Sequence, residues 1–287
     1  MKTFATLPRP EALRPIPCAL CGQEGFAPLW DCGAFSFVRC RSCGLVQQNP
    51  QPEAPAVAAR YDSAYLEYEA ENQLVYRDLE LLALAELGVL DSLKRRAAQS
   101  SGPARLLDVG CATGALLDSF RSIGCEVMGV ELCAPAAEYG RSRYRLPIHP
   151  GTLESAAFPD ASFDLVHASH LIEHLNDPGA WLDEVGRVLA PDGELVLTTP
   201  KVDGFQARLL GSEWRSAIYD HLYLFSLRSL VRLLGTKGFR LERSITWGGW
   251  AKGLRPAFLK KPLDALAKRW GLGDVMALVA RKAHPRV

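Results

Sequence analysis

The sequence predicts an α/β protein: a mainly parallel sheet wound by helices on both faces, preceded by a small cysteine module. Three observations carry this. Apolar runs rich in Val and Leu alternate with helical patterns between Arg105 and Pro200, as strands joined through crossover helices do. The first of these runs closes on an acid and a loop of small side chains, "LLDVGCATG", before a helix begins. Upstream, "CALC" and "CRSC" place two C-x-x-C pairs with the 18 residues 22–39 between them.

Composition bounds the rest. The chain has 287 residues, 48% of them apolar, enough for one sizeable core with appendages and too apolar for a disordered chain. No apolar run reaches the roughly 18 to 20 residues of a membrane span. "MKTFATLPRP" lacks the apolar stretch of a secretory leader, so a cytoplasmic location is expected. A formal net charge of +1 conceals a basic tail, in which only Asp264 and Asp274 offset the Lys and Arg residues from Ala251 onward. Such a tail suits an anionic surface.

The elements follow in order. "LPRPEALRPIP" leads into the cysteine pairs and "NPQPEAPA" leaves them, which sets a Pro-rich lead and cysteine module over 1–52 and a second domain over 53–287. "ENQLVYRDLELLALAELG" has apolar residues at helical spacing with Gly88 as its stop, a helical cap on that domain. Strands are predicted in "RLLDV", "CEVMGVE", "FDLVHA" and "GELVLTT", and helices in "ALLDSFRSIG" and "PGAWLDEVGRVL". Ser226 caps a helix in "SLRSLVRLLGTKGF". The strands "RLERSI" and "DVMALVARK" then close the sheet as a hairpin that carries a basic amphipathic helix near 254–271.

In an open α/β sheet, ligands lie beyond the C-terminal ends of the strands, where strand order reverses. The loop after Asp108 is built for that place: Gly110 reaches backbone conformations closed to other residues, Ala112 and Thr113 are small, and Gly114 brings no Cβ to the first helical turn. A carboxylate at Asp108 repels a pyrophosphate but suits an ammonium group, or holds the loop by accepting its N–H groups. Glu131, ending the next strand, is placed to accept hydrogen bonds from both hydroxyls of a ribose. The pair describes a nucleoside that carries an amino acid.

With these residues the chain resembles the class I S-adenosylmethionine-dependent methyltransferases over about Leu106 to Pro200. The resemblance implies a Rossmann-like, doubly wound, seven-stranded sheet. It further implies cofactor contacts from Asp108, Gly110, Cys111, Ala112, Gly114, Glu131 and Leu132, with Leu153 and Glu154 by the adenine and Ala168 and Ser169 by the methionine end. Tyr61 and Tyr65 are candidates to close over the cofactor from the N-terminal helix. In such an enzyme the sulfonium loses its charge as the methyl leaves, so alignment and exclusion of water matter more than acid chemistry.

"HLIEH" matches a metallopeptidase pattern of two His and a Glu on one helix, but no third ligand is identifiable from the sequence. Ubiquinone-pathway methyltransferases carry E-x-x-E-H here for Mg²⁺. This chain has His170 at the first Glu, a poor ligand for a hard cation, and Glu173 and His174 are expected to brace the helix. "YDHLYLFS" resembles an acceptor-side segment of sugar methyltransferases. His221 is the candidate general base, oriented by Asp220 or Tyr219, with His170 a further candidate to touch substrate.

The spacing of Cys18, Cys21, Cys40 and Cys43 fits a structural Zn²⁺ held by four thiolates. "CRSCGLVQQNPQP" resembles the end of a zinc ribbon found before methyltransferase domains in sugar and polysaccharide pathways. Cys111, Cys125 and Cys133 read as small buried thiols, and Cys32 fits either group. Between Cys18 and Cys43, Arg39 and Arg41 balance Glu24 and Asp31, so nucleic acid is not the expected partner. The reading is methyl transfer from S-adenosylmethionine to a small polar acceptor, such as a nucleotide sugar or a glycan or secondary-metabolite intermediate, on O, N or C. Its rivals are an RNA methyltransferase gripping RNA through the ribbon and a non-catalytic module that binds the cofactor or a partner. The basic helix around Lys260 and Lys261 is a candidate contact with a membrane surface or lipid-linked acceptor.

Overall fold

A computed structural model of the chain describes residues 13–97, 102–248 and 270–283. The expected basic helix, with Lys260 and Lys261, lies outside the described residues except for its last two positions. Among the described residues no helix is long and apolar enough to cross a membrane.

The N-terminal part is antiparallel. β1 (Leu13–Arg14) pairs with β5 (Gln51–Pro52), while β2 (Phe26–Asp31), β3 (Ser36–Cys40) and β4 (Val46–Gln48) form a small meander. The chain then turns helical through α1 (Ala54–Ala58), α2 (Ser63–Glu86) and α3 (Val89–Ala97). Asp62 caps α2 by accepting the N–H groups of Ala64 and Tyr65, and Gly88, at φ +71°, follows its end.

The main sheet is laid down by β6 (Arg105–Val109), α4 (Ala115–Ser122), β7 (Glu126–Glu131), α5 (Ala134–Tyr144), β8 (Ile148–Pro150), β9 (Phe163–Ser169), α6 (Pro178–Val188) and β10 (Leu189–Pro200). After α7 (Phe205–Leu210), β11 (Tyr223–Leu224) and α8 (Leu227–Thr236), the strands β12 (Phe239–Trp247) and β13 (Val275–Lys282) complete it. The order is β12-β13-β10-β9-β6-β7-β8, seven strands as expected, with β13 running against both of its neighbours. Strand order reverses between β6 and β9, which opens a crevice over their C-terminal ends. β8 escaped the sequence reading because "IHP" ends in a proline and is too short to show a period; at the sheet edge that proline is tolerated.

Two apolar layers cover the sheet. Leu182, Val185, Leu230 and Leu233 of α6 and α8 pack on one face, where Cys18, Cys40 and Leu45 of the cysteine module join the same core. Leu84, Leu93, Leu117 and Phe120 of α2, α3 and α4 pack on the other. The module also shares its sheet with the later chain, because β11 pairs with β4 and makes the meander four-stranded.

Packing gives Gly114 a reason that its sequence does not show. A Cβ there would meet Leu146 Cδ1 at 2.8 Å and Ile148 Cδ1 at 3.3 Å, and the residue stands at φ +78°. It clears space for the packing of α4 against the chain after α5, and it does not line the large cavity described below. Gly114→Ala is therefore expected to lose about 1–3 kcal/mol of stability in urea unfolding, from left-handed strain plus the clash.

Candidate functional site

A cavity of about 960 Å³ occupies the crevice, reaching from the β6–α4 loop past the ends of β7 and β9 to the segment before β11. The loop turns through three left-handed residues, Gly110 at φ +75°, Ala112 at φ +47° and Gly114 at φ +78°, and is pinned by Gly110 N–H donating to Val130 O at 2.8 Å. Glu131 supports it from below. One carboxylate oxygen accepts Ala112 N–H at 2.8 Å and the other accepts Cys133 N–H at 2.8 Å. Burial pushes Glu131 up to about 7, against the pull of those two N–H groups, with Asp108 adding to the rise. A carboxylate has about four acceptor positions, so both oxygens keep capacity for donors in the cavity that Glu131 lines.

Asp108 has a partner that the sequence did not suggest. Rather than meeting the loop N–H groups, its Oδ1 lies 2.7 Å from His167 Nδ1, on the neighbouring strand. His167 Nε2 lies 3.2 Å from Glu80 Oε1 of α2, and Glu80 accepts from Thr198 Oγ1 at 2.7 Å and Ser169 Oγ at 3.0 Å. His167 is wholly buried. Burial alone would lower it, but Asp108 and Glu80 outweigh burial and push it up to about 10. An imidazolium between two carboxylates thus ties α2 to the sheet in the wall of the cavity. A histidine at a core-facing strand position and an acid on the inner face of α2 were the signals for this pair. Glu69, also on α2, lines the cavity and is pushed up to about 7, chiefly by burial and then by Glu131.

The far end of the cavity brings together His170, His174, Tyr219, Asp220 and His221. Residues 172–174 form a single 3₁₀ turn, and α6 starts later, so Glu173 and His174 do not brace a helix. Buried Glu173 accepts from Thr199 Oγ1 at 2.9 Å and faces His170 Nδ1 at 3.2 Å. His170 itself is held at φ +51°, a strained conformation of the kind that clusters at functional sites. His221 is oriented by neither expected residue. Its Nδ1 donates to Ser216 O at 2.8 Å, while Asp220 pairs with Arg60 at 3.0 Å and the Arg60 guanidinium sits 4.2 Å over the Tyr219 ring. Burial first, and then His174, lower His221 to about 3, which makes it a weak proton acceptor.

The other expected residues divide. Cys111, Leu132, Leu153, Glu154 and Ser169 line the cavity with Tyr61 and Tyr65, whose rings meet edge-on at 5.1 Å. Ala168 is buried in β9 and lies outside that lining.

The four module cysteines converge. Cys18 and Cys43 sulfurs are 3.4 Å apart, Cys21 and Cys40 sulfurs 3.6 Å, and all four lie within 4.8 Å of one another. Tetrahedral Zn–S bonds of about 2.3 Å place sulfurs roughly 3.8 Å apart, so the donor set fits such an ion. Cys32 stands outside this group, beside a smaller pocket. The module grips the far end of the cavity: buried Gln48 donates to Tyr219 O at 2.8 Å and His221 O at 2.7 Å, and Gln51 donates to Leu222 O at 3.2 Å.

The family described as a methyltransferase domain matches residues 81–244. The malonyl-[acyl-carrier protein] O-methyltransferase of Pseudescherichia vulneris is 32% identical over 145 residues, covering 50% of this chain and 53% of that protein. The ubiquinone biosynthesis O-methyltransferase of Rhodopseudomonas palustris is 32% identical over 116 residues, covering 38% and 46%. The chain thus spans about half the length of these curated relatives. A SAM-dependent methyltransferase of Archaeoglobus fulgidus shares the fold at TM-score 0.50 and 18% identity, over 68% of this chain and 93% of that one. A chain in the complex of the Haloferax volcanii Trm112 methyltransferase activator with its methyltransferase does so at TM-score 0.52 and 16% identity, over 74% and 99%.

Proposed function

Because the chain belongs to the methyltransferase-domain family, which its residues 81–244 match, we propose that the cavity binds S-adenosylmethionine and passes its methyl group to a small polar acceptor. The observation that carries this is Glu131, a buried carboxylate that braces the β6–α4 loop and lines a cavity near the top of the ~300–1,000 Å³ range of small-molecule sites. Such a volume takes cofactor and acceptor together. In this reading Glu131 receives the ribose hydroxyls, Leu132, Leu153 and Glu154 border the adenine, and Gly110, Cys111 and Ala112 shape the loop beside the amino-acid end. Asp108 serves that end through a charge it shares with His167. Ser169 and His170 flank the departing methyl, while Tyr61 and Tyr65 shield it from water.

Transfer needs an acceptor atom in line with the sulfur–methyl bond. Held there, S-adenosylmethionine would supply a methyl whose bonding pair returns to sulfur, leaving a neutral thioether, and a hydroxyl acceptor would release its proton to water. Tyr219, Asp220 and His221 border the acceptor. The relatives' names, both O-methyltransferases, support an oxygen acceptor, and the polar end of the cavity supports a sugar-like or glycan-pathway metabolite. The thiolates of Cys18, Cys21, Cys40 and Cys43 hold a structural zinc, within a module over 1–52 that serves the methyltransferase domain over 53–287 by clamping its acceptor segment. The balanced charge between Cys18 and Cys43 favours this role over RNA binding. A cytoplasmic setting fits the reading.

The test is a screen of nucleotide sugars, other hydroxylated metabolites and RNA with methyl-labelled cofactor. Label is expected in a small-molecule pool. Label in RNA would replace the acceptor assignment, and tight cofactor uptake with no label in any pool would replace the enzyme by a binding module.

A further inference from the structure

We propose that Glu173, His174 and His221 form a second metal site, for a divalent cation of the first transition row, at the acceptor end of the cavity. A ring nitrogen from each histidine and a carboxylate oxygen of Glu173 lie within 4.8 Å of one another. The two imidazoles meet nearly at right angles, their centroids 4.7 Å apart. The sequence pairs His170 with His174 through "HLIEH"; the fold supplies His221 instead, as the third donor that the spacing alone does not show.

The hydrogen bonds fix which nitrogens are available. His174 Nδ1 lies 2.9 Å from Asp220 O and His221 Nδ1 lies 2.8 Å from Ser216 O. A backbone carbonyl only accepts, so each Nδ1 carries the proton and each Nε2 keeps a lone pair. Metal-binding histidines are oriented in this way by a carbonyl behind the ring. Glu173 is oriented as well, with one oxygen accepting from Thr199 Oγ1 and the other facing His170. The backbone joins the two segments, because Leu222 N–H donates to Glu173 O at 2.8 Å. Two imidazoles and one carboxylate, each braced from behind, bring a donor atom apiece within 4.8 Å of one another, and both imidazoles line the cavity.

The donor set selects the ion. Mg²⁺ and Ca²⁺ take oxygen ligands, whereas two imidazoles with one carboxylate suit Zn²⁺, Fe²⁺ or Mn²⁺ and leave coordination positions for an outside ligand. His174 and His221 line the cavity, so those positions face the acceptor. The role of the ion, to anchor an acceptor oxygen, rests on the methyltransferase reading; the binding of the ion does not.

Metal analysis of the full chain after dialysis against Zn²⁺ is expected to give two equivalents, one in the thiolate site and one here. His221→Ala and His174→Ala should each reduce the count to one. Mn²⁺, which thiolates hold poorly, gives a second measurement on the unaltered chain: electron paramagnetic resonance should show one bound Mn²⁺ that Zn²⁺ displaces. Glu173→Gln should weaken its binding at least 10-fold. A single zinc equivalent in the unaltered chain with no bound Mn²⁺, or counts unmoved by both histidine substitutions, overturns the proposal. S-adenosylhomocysteine uptake, followed by calorimetry on the same samples, separates the two failures. Uptake with one metal sinks only the second site, whereas two metals without uptake sink the methyltransferase reading alone.

Discussion

Glu131→Ala is expected to weaken binding of S-adenosylhomocysteine by on the order of 100-fold, measured by calorimetry. A hydrogen bond to a charged group contributes about 1.5–3 kcal/mol, and two ribose hydroxyls on one carboxylate bring the loss to roughly 3 kcal/mol or slightly more. The substitution also removes the acceptor of Ala112 and Cys133 N–H, so the loop loses its brace at the same time. Glu131→Gln keeps an acceptor and should lose less. The pH dependence supplies an independent check. Burial raises Glu131 to about 7 in the empty protein, whereas hydroxyl donors favour its ionised form. Below about pH 7 binding must therefore expel a proton, and affinity should fall by up to tenfold per pH unit, while Glu131→Gln shows no such slope. Affinity that ignores both the pH and the substitution would remove Glu131 from the ribose role.

The place of Glu131 at the mouth of the cavity was legible because it depends on position along one strand. An acid at the end of the second strand lies at the C-terminal edge of the sheet whatever else the chain does. Other residues took their meaning from partners far away in sequence. Asp108 is 59 residues from His167, and His167 is 87 from Glu80, so the charge that neutralises the acid is invisible until β9 pairs beside β6 and α2 lies over both. Gly114 stood out as a glycine beside a ligand loop, and the sequence could not show that Leu146 also leaves no room for a Cβ there. His221 was singled out from a local resemblance that could not show Ser216 behind its ring or Glu173 near it. The cysteine pairs were the opposite case: four thiolates at knuckle spacing have few arrangements open to them, and the sulfurs do converge. What spacing did not show is that the module shares a strand pair and a core with the later chain, and through Gln48 holds the segment of Tyr219 and His221 in place.

The largest stability effect should come from the buried network of Asp108, His167 and Glu80 that lines the cavity. Removing one partner of a buried, hydrogen-bonded charge pair costs about 3–5 kcal/mol, because the remaining charge is left without compensation. Glu80→Ala is expected to fall in that range in denaturant unfolding. It strips His167 of one carboxylate and leaves the hydroxyls of Thr198 and Ser169 without their acceptor. The pH behaviour has a definite sign. His167 is raised from 6.5 to about 10 in the folded protein, so its contribution is complete below about pH 6.5 and is lost as pH climbs through about 10. Glu80 is held below its usual range, with the His167 contacts and the Thr198 hydroxyl outweighing burial. Its contribution is present above the ordinary carboxylate pKa and is lost only as pH falls below it. Other groups titrate in alkali, so the informative quantity is the difference between the unaltered chain and His167→Gln, which puts a side-chain amide donor in place of the imidazole but carries no charge. That difference should be largest near pH 6 and shrink steadily toward pH 10. A difference that stays constant over the range would mean that His167 is neutral in the fold, and Asp108 would then meet the cofactor with its full charge.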